Sequence, residues 1–522
     1  MLKCTINGQE LEVKEGTSVI EAFKMVEQDI AHYCWHPGLS VAGVCRLCMV
    51  EIEGNPRLQI ACNTMVQDGM VVTNQSEMVK DAVKWGLDFH LINHPLDCPI
   101  CDQAGECGLQ DQYMQFGQYD SQMGQQKVKK KKVVDLGEKI VLDSERCILC
   151  SRCVRFTEEV SKTNELGIFN RGDHSEIGTY AGKPLNNDYA VNTVDICPVG
   201  ALTSKEFRFR QRVWFLKDKP SVCTGCSTGC SVDVYFNKEG MWRVKPRHSE
   251  VNGYWMCDEG REIFKATNIM TTEFVGERGN QKAIKKENRL IQALHKNEGT
   301  VNYKSSQDSI QSLTEKLSSY KKAALVLTGQ YTNEEYLSLV RVWKEKFGVD
   351  NVYHWLNHPG KLEDFDGLLI RGDKNANTKG LLKVLSDEGI TAKTDFSGID
   401  QSDLIVVAGP ENQWTFDDIN QKAQIFAKAG KVVWISACHV EEAEQAGGHM
   451  HFIPAKTAVE KSGTFTNHAG IEQKVEKVDL FVEQALSLVD VATIMSGGEV
   501  HTEFSEPVEI VSNEFVHERG QL

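Results

Sequence analysis

ERCILCSRCVRF (residues 145–156) and DICPVGALT (residues 195–203) decide how the rest of this chain is read. The first sets Cys147, Cys150 and Cys153 at C-x2-C-x2-C spacing, and the second offers Cys197 directly before Pro198. Three thiolates on one tight loop wrap three corners of an iron–sulfur cubane, and a distant Cys-Pro supplies the fourth. Two-cluster ferredoxins carry the run together with its own Cys-Pro, and they carry it twice. Here the run lacks its own Cys-Pro and the Cys-Pro lacks its own run. One complete ligand set, and so one [4Fe–4S] cluster, is expected. Zinc is the alternative for any set of four thiolates, and this spacing favours the cluster.

Three more sets lie outward from this one. CWHPGLSVAGVCRLCMVEIEG (34–54) holds Cys34, Cys45 and Cys48, with Cys62 beyond it. Four thiolates on loops beside a small sheet suit a [2Fe–2S] centre, in which each iron takes two. Gly38 and Gly43 let the loop wrap closely enough for backbone N–H groups to face sulfur. The spacing departs from the plant-type C-x4-C-x2-C, and a structural zinc site remains open. HPLDCPICDQAGEC (94–107) holds His94, Cys98, Cys101 and Cys107; three thiolates and one imidazole fit zinc as well as a [4Fe–4S] cluster. Only the company this set keeps favours the cluster. SVCTGCSTGCSVDV (221–234) and YWMCDEGRE (254–262) hold Cys223, Cys226, Cys230 and Cys257, a cubane set with zinc again as the alternative. Four redox-capable sites in succession make sense as a wire, whereas zinc in all four does not.

The chain has 522 residues and 17 cysteines. An odd count and short spacings argue for metal rather than disulfides in a reducing cytosol. Only Cys4 and Cys438 stay unassigned; Cys4, in the first strand, reads as a small core residue. The formal charge of −15, from 58 basic and 73 acidic residues, speaks against nucleic acid. No apolar run approaches the roughly 20 residues of a membrane helix. The N-terminus opens on strand-like alternation rather than a targeting segment. A soluble chain kept in a bacterial cytoplasm is expected.

The predicted fold is multidomain, α+β followed by α/β. KCTINGQELEVK (3–14) reads as two strands turning at Asn7-Gly8, then a helix near 18–28. A further helix is expected at 77–94, with Val79, Ala82, Val83, Leu87 and Leu91 on one face and Pro95 ending it. His90 and His94 lie four apart there, and His94, next to the turn toward Cys98, is the expected ligand. GQQKVKKKKV (124–133) reads as a basic solvated linker, and 265–320 is polar and poorly patterned. Strand–helix alternation begins at 321. Ala323–Leu327 is a buried strand, and Thr332 with Glu335 caps a helix lined by Tyr336, Leu339, Val340, Trp343 and Phe347. Leu368–Ile370, Leu404–Val407 and Val432–Ile435 are further strands of a mainly parallel sheet. The domains are therefore 1–77, 78–123, 138–215, 221–275 and 321–522.

The stretches CWHPGLSVAGVCRLCMVEI, INHPLDCPICDQAGECGLQD, ERCILCSRCVRF and DICPVGALTSK, in this order, closely resemble the large iron–sulfur subunits (the G subunits) of bacterial NADH-quinone oxidoreductase, respiratory complex I. The resemblance covers about residues 1–215. It implies a ferredoxin-like β-grasp domain with a [2Fe–2S] cluster, then a one-histidine, three-cysteine segment and a ferredoxin-like domain with one [4Fe–4S] cluster each. The family's histidine ligand falls on His94. Residues 221–265 resemble the [4Fe–4S] domain of molybdopterin oxidoreductases, which implies a third cubane. Residues 321–522, including EKSGTFTNHAGIEQ (460–473), resemble a shortened molybdopterin fold, for which neither molybdopterin nor flavin is expected. The implied role is electron relay, with no substrate-converting site on this chain. The implied partners are the flavin-bearing NADH-binding subunit, its small [2Fe–2S] companion, and the quinone-side iron–sulfur and hydrogenase-like subunits. The implied place is the peripheral arm on the cytoplasmic face of the bacterial cell membrane.

Rival readings are the catalytic chain of an NAD-linked formate dehydrogenase and the diaphorase-side subunit of a hydrogenase. The first needs a cysteine on molybdenum, for which Cys438-His439 is the one candidate. A strand precedes it and no Gly-Pro-Ser context surrounds it, so Cys438 is expected to be a buried core residue.

Overall fold

The structure is a computed structural model that describes residues 1–120, 124, 126–275, 282–297, 300–411 and 415–500. Two compact units are present: Met1–Leu216 with Gly253–Asp258, and Lys217–Asn252 with the rest from Glu259.

In the first unit the Asn7-Gly8 turn joins strands Leu2–Ile6 and Gln9–Val13, paired antiparallel from Leu2↔Val13 to Ile6↔Gln9. Both turn residues have positive φ, 49° and 83°, as a tight hairpin turn with right-handed twist requires. A five-stranded sheet is completed by Met70–Thr73, Met49–Ile52 and Gln59–Ile60. Helix Val19–Met25 starts at a Ser18/Glu21 capping box and buries Ile20 and Phe23 in the sheet's core beside Cys4. Each such side chain contributes about 1.5–3 kcal/mol on burial. The next helix, Glu77–Leu91, buries Val79, Val83 and Leu87, the face the spacing predicts. It stops at Leu91, so His94 lies beyond it and shares no helical face with His90; the His94 N–H instead donates to Leu91 O at 3.1 Å. Helix Gly108–Phe116, the sheet of Val134–Asp135, Ile140–Leu142 and Leu202–Ser204, and helix Arg152–Glu159 carry the remaining loops.

The second unit opens with antiparallel strands Lys217–Val222, Ser231–Asn237 and Gly240–Pro246. Its main sheet has seven strands in the order Thr300–Lys304, Ala293–Asn297, Met450–Pro454, Val432–Ser436, Leu404–Ala408, Ala323–Leu327 and Val352–His354. The last five run parallel, and Ala293–Asn297 pairs antiparallel with both of its neighbours. Ala323–Leu327, Leu404–Ala408 and Val432–Ser436 are buried throughout, which is why they read as unbroken apolar runs: helices cover both faces of a parallel sheet. Helix Asn333–Phe347 begins at the Thr332/Glu335 capping box and buries Tyr336, Leu339, Val340 and Trp343.

Two further sequence expectations are corrected. Residues 368–370 form no strand, because the Asp366 carboxylate accepts the N–H groups of Leu368, Leu369 and Ile370 and folds them into a turn. The polar 265–320 region holds two antiparallel hairpins, Met270–Val275 with Lys282–Glu287 and Ala293–Asn297 with Thr300–Lys304; the second extends the main sheet. The basic run at 127–132 is largely exposed, as expected, and is tied down at its two ends: Lys127 Nζ donates to Leu91 O, and Lys132 pairs with Asp97 and Glu145.

Candidate metal centres

The first set is gathered most closely. Cys34, Cys45, Cys48 and Cys62 are all buried; the thiols of Cys45 and Cys62 hydrogen-bond to Cys34, and that of Cys62 also to Cys48. Accepting these bonds pulls the Cys34 and Cys48 thiols down, while hydrogen bonding and burial push Cys45 and Cys62 up. Backbone N–H groups of Val44 and Cys45 reach the Cys34 sulfur, and the Tyr33 N–H donates to Cys45 Sγ at 3.4 Å. Such donors stabilise thiolate over thiol. Gly43, at φ 64°, gives the loop its left-handed step. Gly38 has a different reason to be glycine: a Cβ there meets Trp255 at 2.8 Å and Tyr254 at 2.9 Å.

The second set straddles a helix start. Cys107 is the N-cap of helix Gly108–Phe116, where the nearby N–H groups of Leu109 and Gln110 favour its thiolate against burial. Burial pushes Cys101 and Cys107 up, whereas Cys98 is exposed. His94 Nδ1 is buried and has no hydrogen-bond partner. Burial, with the cations of Lys127 and Arg146 nearby, lowers its pKa to about 4. A neutral imidazole with an unsatisfied nitrogen is the form that ligates metal. His90 is occupied: its Nδ1 lies 2.7 Å from Gly86 O, and its ring meets Tyr33 edge-on at 5.1 Å.

The third set lines a pocket in which Cys147, Cys150, Cys153 and Cys197 stand among apolar side chains such as Leu142 and Ile177. Leu149 and Ser151 take φ 56° and 62°, a left-handed backbone costly for residues with side chains. It turns N–H groups onto sulfur: those of Leu149 and Arg152 reach Cys147 and Cys150, and those of Val199, Ala201 and Leu202 reach Cys197. Burial raises Cys147 to about 12 and Cys150 to about 11, so only a cationic centre draws these thiols into ionised form.

Contacts tie the three sets together. Arg152 donates to Trp35 O at 2.6 Å and Ile196 O at 3.1 Å, and Arg155 donates to Cys34 O, so the third site's helix grips the first site's loop. Pro198 O accepts the Gly108 N–H at 2.9 Å and lies 3.9 Å from Cys107 Sγ. Gly200 abuts Cys101 so closely that any Cβ overlaps its sulfur. Sequence reading missed the roles of Arg152, Arg155 and Gly200, although Gly200 follows the Cys-Pro at a fixed short offset.

In the fourth set Cys223, Cys226 and Cys230 are buried, and the Cys223 N–H donates to Cys230 O at 2.8 Å. Cys257 is also buried, in the 253–258 segment that groups with the first unit; there Val191 N–H donates to Asp258 Oδ1 at 3.0 Å and Trp255 stacks on His36 at 5.3 Å. Among the described residues no three His, Cys, Asp or Glu side chains form a single-ion site; a cluster instead spreads its thiolates over two or four irons. Cys438 is buried in the second unit's core, as expected, with its thiol raised to about 12 and bonded to Ala266 O. His439 faces Glu444 instead.

Four family models match the chain in succession. These are a 2Fe-2S iron-sulfur cluster binding domain (residues 1–77), the NADH-ubiquinone oxidoreductase-G iron-sulfur binding region (86–122), the ferredoxin-like domain of NADH-quinone oxidoreductase subunit 3 (137–203) and the molybdopterin oxidoreductase Fe4S4 domain (216–268). The G subunit of NADH-quinone oxidoreductase from Rickettsia bellii is 34% identical over 355 residues, 67% of this chain and 49% of that one. The G subunit from Streptomyces coelicolor is 41% identical over 268 residues, 51% of this chain and 32% of that one. The chain thus spans about half or less of the length of these relatives. A chain from the crystal structure of an NAD+-reducing [NiFe]-hydrogenase in the H2-reduced state matches at 29% identity and TM-score 0.37, covering 41% of this chain and 91% of that one. Across its cysteine-rich half, this chain resembles the iron–sulfur G subunit of bacterial NADH-quinone oxidoreductase.

Proposed function

We propose that this chain is an electron-relay subunit of an NADH:quinone oxidoreductase. In this reading Cys34, Cys45, Cys48 and Cys62 hold a [2Fe–2S] cluster. Three [4Fe–4S] clusters are held by His94 with Cys98, Cys101 and Cys107; by Cys147, Cys150, Cys153 and Cys197; and by Cys223, Cys226, Cys230 and Cys257. The observation that carries it is the adjacency of three such donor sets, joined by Arg152, Arg155 and the Pro198–Gly200 corner. The clusters supply one-electron carriers. The chain's own residues hold the sulfur donors, turn N–H groups onto them and keep water away. The exposed Cys98 has exposed apolar neighbours in Leu96 and Ile100, a surface suited to protein contact. The partners are then the flavin-bearing NADH-binding subunit, its small [2Fe–2S] companion and the quinone-side iron–sulfur and hydrogenase-like subunits. The place is the cytoplasmic face of the bacterial cell membrane, in the peripheral arm; no described helix is long and apolar enough to cross a membrane. The parallel sheet beyond residue 321 is read as a shortened molybdopterin fold without cofactor. The packing of Cys438 in the second unit's hydrophobic core, with its thiol bonded to Ala266 O, supports that.

Elemental analysis of anaerobically purified chain tests the cluster assignment. About 14 iron atoms per chain are expected, with neither zinc nor molybdenum stoichiometric. One molybdenum per chain sinks the relay reading, and one zinc with iron near 10 returns one cubane site to zinc. Dithionite is expected to bleach the isolated chain, whereas NADH does so only after the flavoprotein partner is added. No strand-to-helix G-x-G-x-x-G is present in the sequence to hold a dinucleotide. Bleaching by NADH alone reveals a nucleotide site and overturns this assignment.

A further inference from the structure

Helix Arg152–Glu159 presents three side chains to the loop that begins at Cys34. Arg152, Arg155 and Glu159 are spaced three and four residues apart and so share one helical face. Arg152 Nη2 donates to Trp35 O at 2.6 Å, Arg155 Nη2 to Cys34 O at 2.5 Å and Arg155 Nη1 to Ser40 O. Glu159 accepts the Ser40 N–H at 2.8 Å and the Ser40 hydroxyl. The Arg155 fork also reaches back into the third set's own loop: Nη2 lies 3.5 Å from Cys150 O, and Nε donates to Ser151 Oγ at 3.2 Å. One guanidinium nitrogen thus faces the carbonyls of a first-set and a third-set cysteine at once.

Arg155 is buried, only 8% exposed. Its guanidinium does not give up its proton in a protein, so the charge stays. Among the described residues its partners are carbonyls and one hydroxyl, and no acidic side chain pairs with it. Glu159, on the same face, is engaged with Ser40. A buried cation without a counter-charge is costly. The donor sets on its two sides can supply that counter-charge, because four thiolates leave an iron–sulfur centre net negative and reduction makes it more so.

We propose that Arg155 is a counter-charge shared by the centre held by Cys34, Cys45, Cys48 and Cys62 and the centre held by Cys147, Cys150, Cys153 and Cys197, and that it raises the reduction potential of both. This rests on the proposed ligand assignment. The physical reason is that a fixed cation stabilises the more negative, reduced state, and away from water its field is weakly screened. Arg155 is a positioning residue here; it ligates no iron.

Arg155→Met removes the charge and keeps an unbranched stem. In an anaerobic EPR redox titration of the full chain, the reduction equilibria of the [2Fe–2S] centre and the third centre are both expected to fall about tenfold, or 59 mV for a one-electron couple, with the second centre unmoved. Arg155→Lys keeps a cation without the fork. It is expected to hold both equilibria within about threefold of the wild type. Unmoved midpoints in iron-replete Arg155→Met overturn the proposal, as does a fall at one centre alone, or a lysine variant that falls as far as the methionine one. If Arg155→Met takes up no iron at these two sites, the lysine variant decides. Loading of both at near wild-type midpoints supports the shared charge. Failure to load while the second centre forms overturns it, because the fork's geometry is then what the sites need. A wild-type chain without the [2Fe–2S] signal or the third-site cubane signal instead overturns the ligand assignment itself, and this inference with it.

Discussion

His94→Ala is expected to abolish or grossly shift the EPR signal of one cubane, while His90→Ala leaves every signal in place. The reason is the contrast between two imidazoles only four residues apart. His90 already has a backbone partner and an aromatic neighbour, so its removal deletes packing and one hydrogen bond. His94 holds a buried nitrogen with nothing to bond, and its depressed pKa of about 4 keeps that nitrogen unprotonated at neutral pH. Lys127 and Lys132, tied to the same arm, hold the imidazole neutral from outside. Exchanging a thiolate for neutral imidazole makes a centre less negative and raises its potential, as in Rieske centres. His94→Cys is therefore expected to restore a cluster whose midpoint lies below that of the wild type, read by potentiometric EPR. If His90→Ala removes the signal and His94→Ala spares it, the ligand has been assigned to the wrong histidine.

The second large effect concerns stability. Arg289 and Glu460 are both fully buried and paired at 2.8 Å. Arg289 also donates to Ala437 O, Thr267 O and Ala455 O at 2.9–3.1 Å, and Glu460 accepts N–H groups from Thr457, Phe481 and Val482. Removing one member of such a pair strands a charge away from water, at a cost of about 3–5 kcal/mol. Arg289→Met is expected to lower the opening free energy of strands Leu404–Ala408 and Val432–Ser436 by that amount, measured by native-state hydrogen exchange. Adding Glu460→Met is expected to recover part of the loss, because the stranded carboxylate goes with it. A single-variant change below about 1 kcal/mol contradicts this account of the pair. Hydrogen exchange reports the second unit by itself, which global unfolding of a multidomain chain does not.

Much of this fold follows from rules that act between near neighbours in the chain. Asn7-Gly8 set the first hairpin because two adjacent positive φ values favour those residues. Thr332 and Glu335 marked a helix start, and the unbroken apolar run at 404–408 marked a strand covered on both faces. Cysteine spacing grouped Cys45 with Cys48, and Cys147 with Cys150 and Cys153, since a short loop limits which thiols can meet. Local rules failed where a distant partner outweighed them. Residues 368–370 looked like a strand until the Asp366 carboxylate took up their N–H groups. Which histidine is free depends on Gly86 O and Tyr33, and why Gly200 bears no side chain depends on Cys101. The unpartnered hydroxyl of Tyr33 is likewise invisible in sequence, because burial and the absence of an acceptor are properties of everything packed around it. Periodicity and spacing are carried by neighbouring residues; satisfaction of a polar atom is decided by residues that only folding brings near.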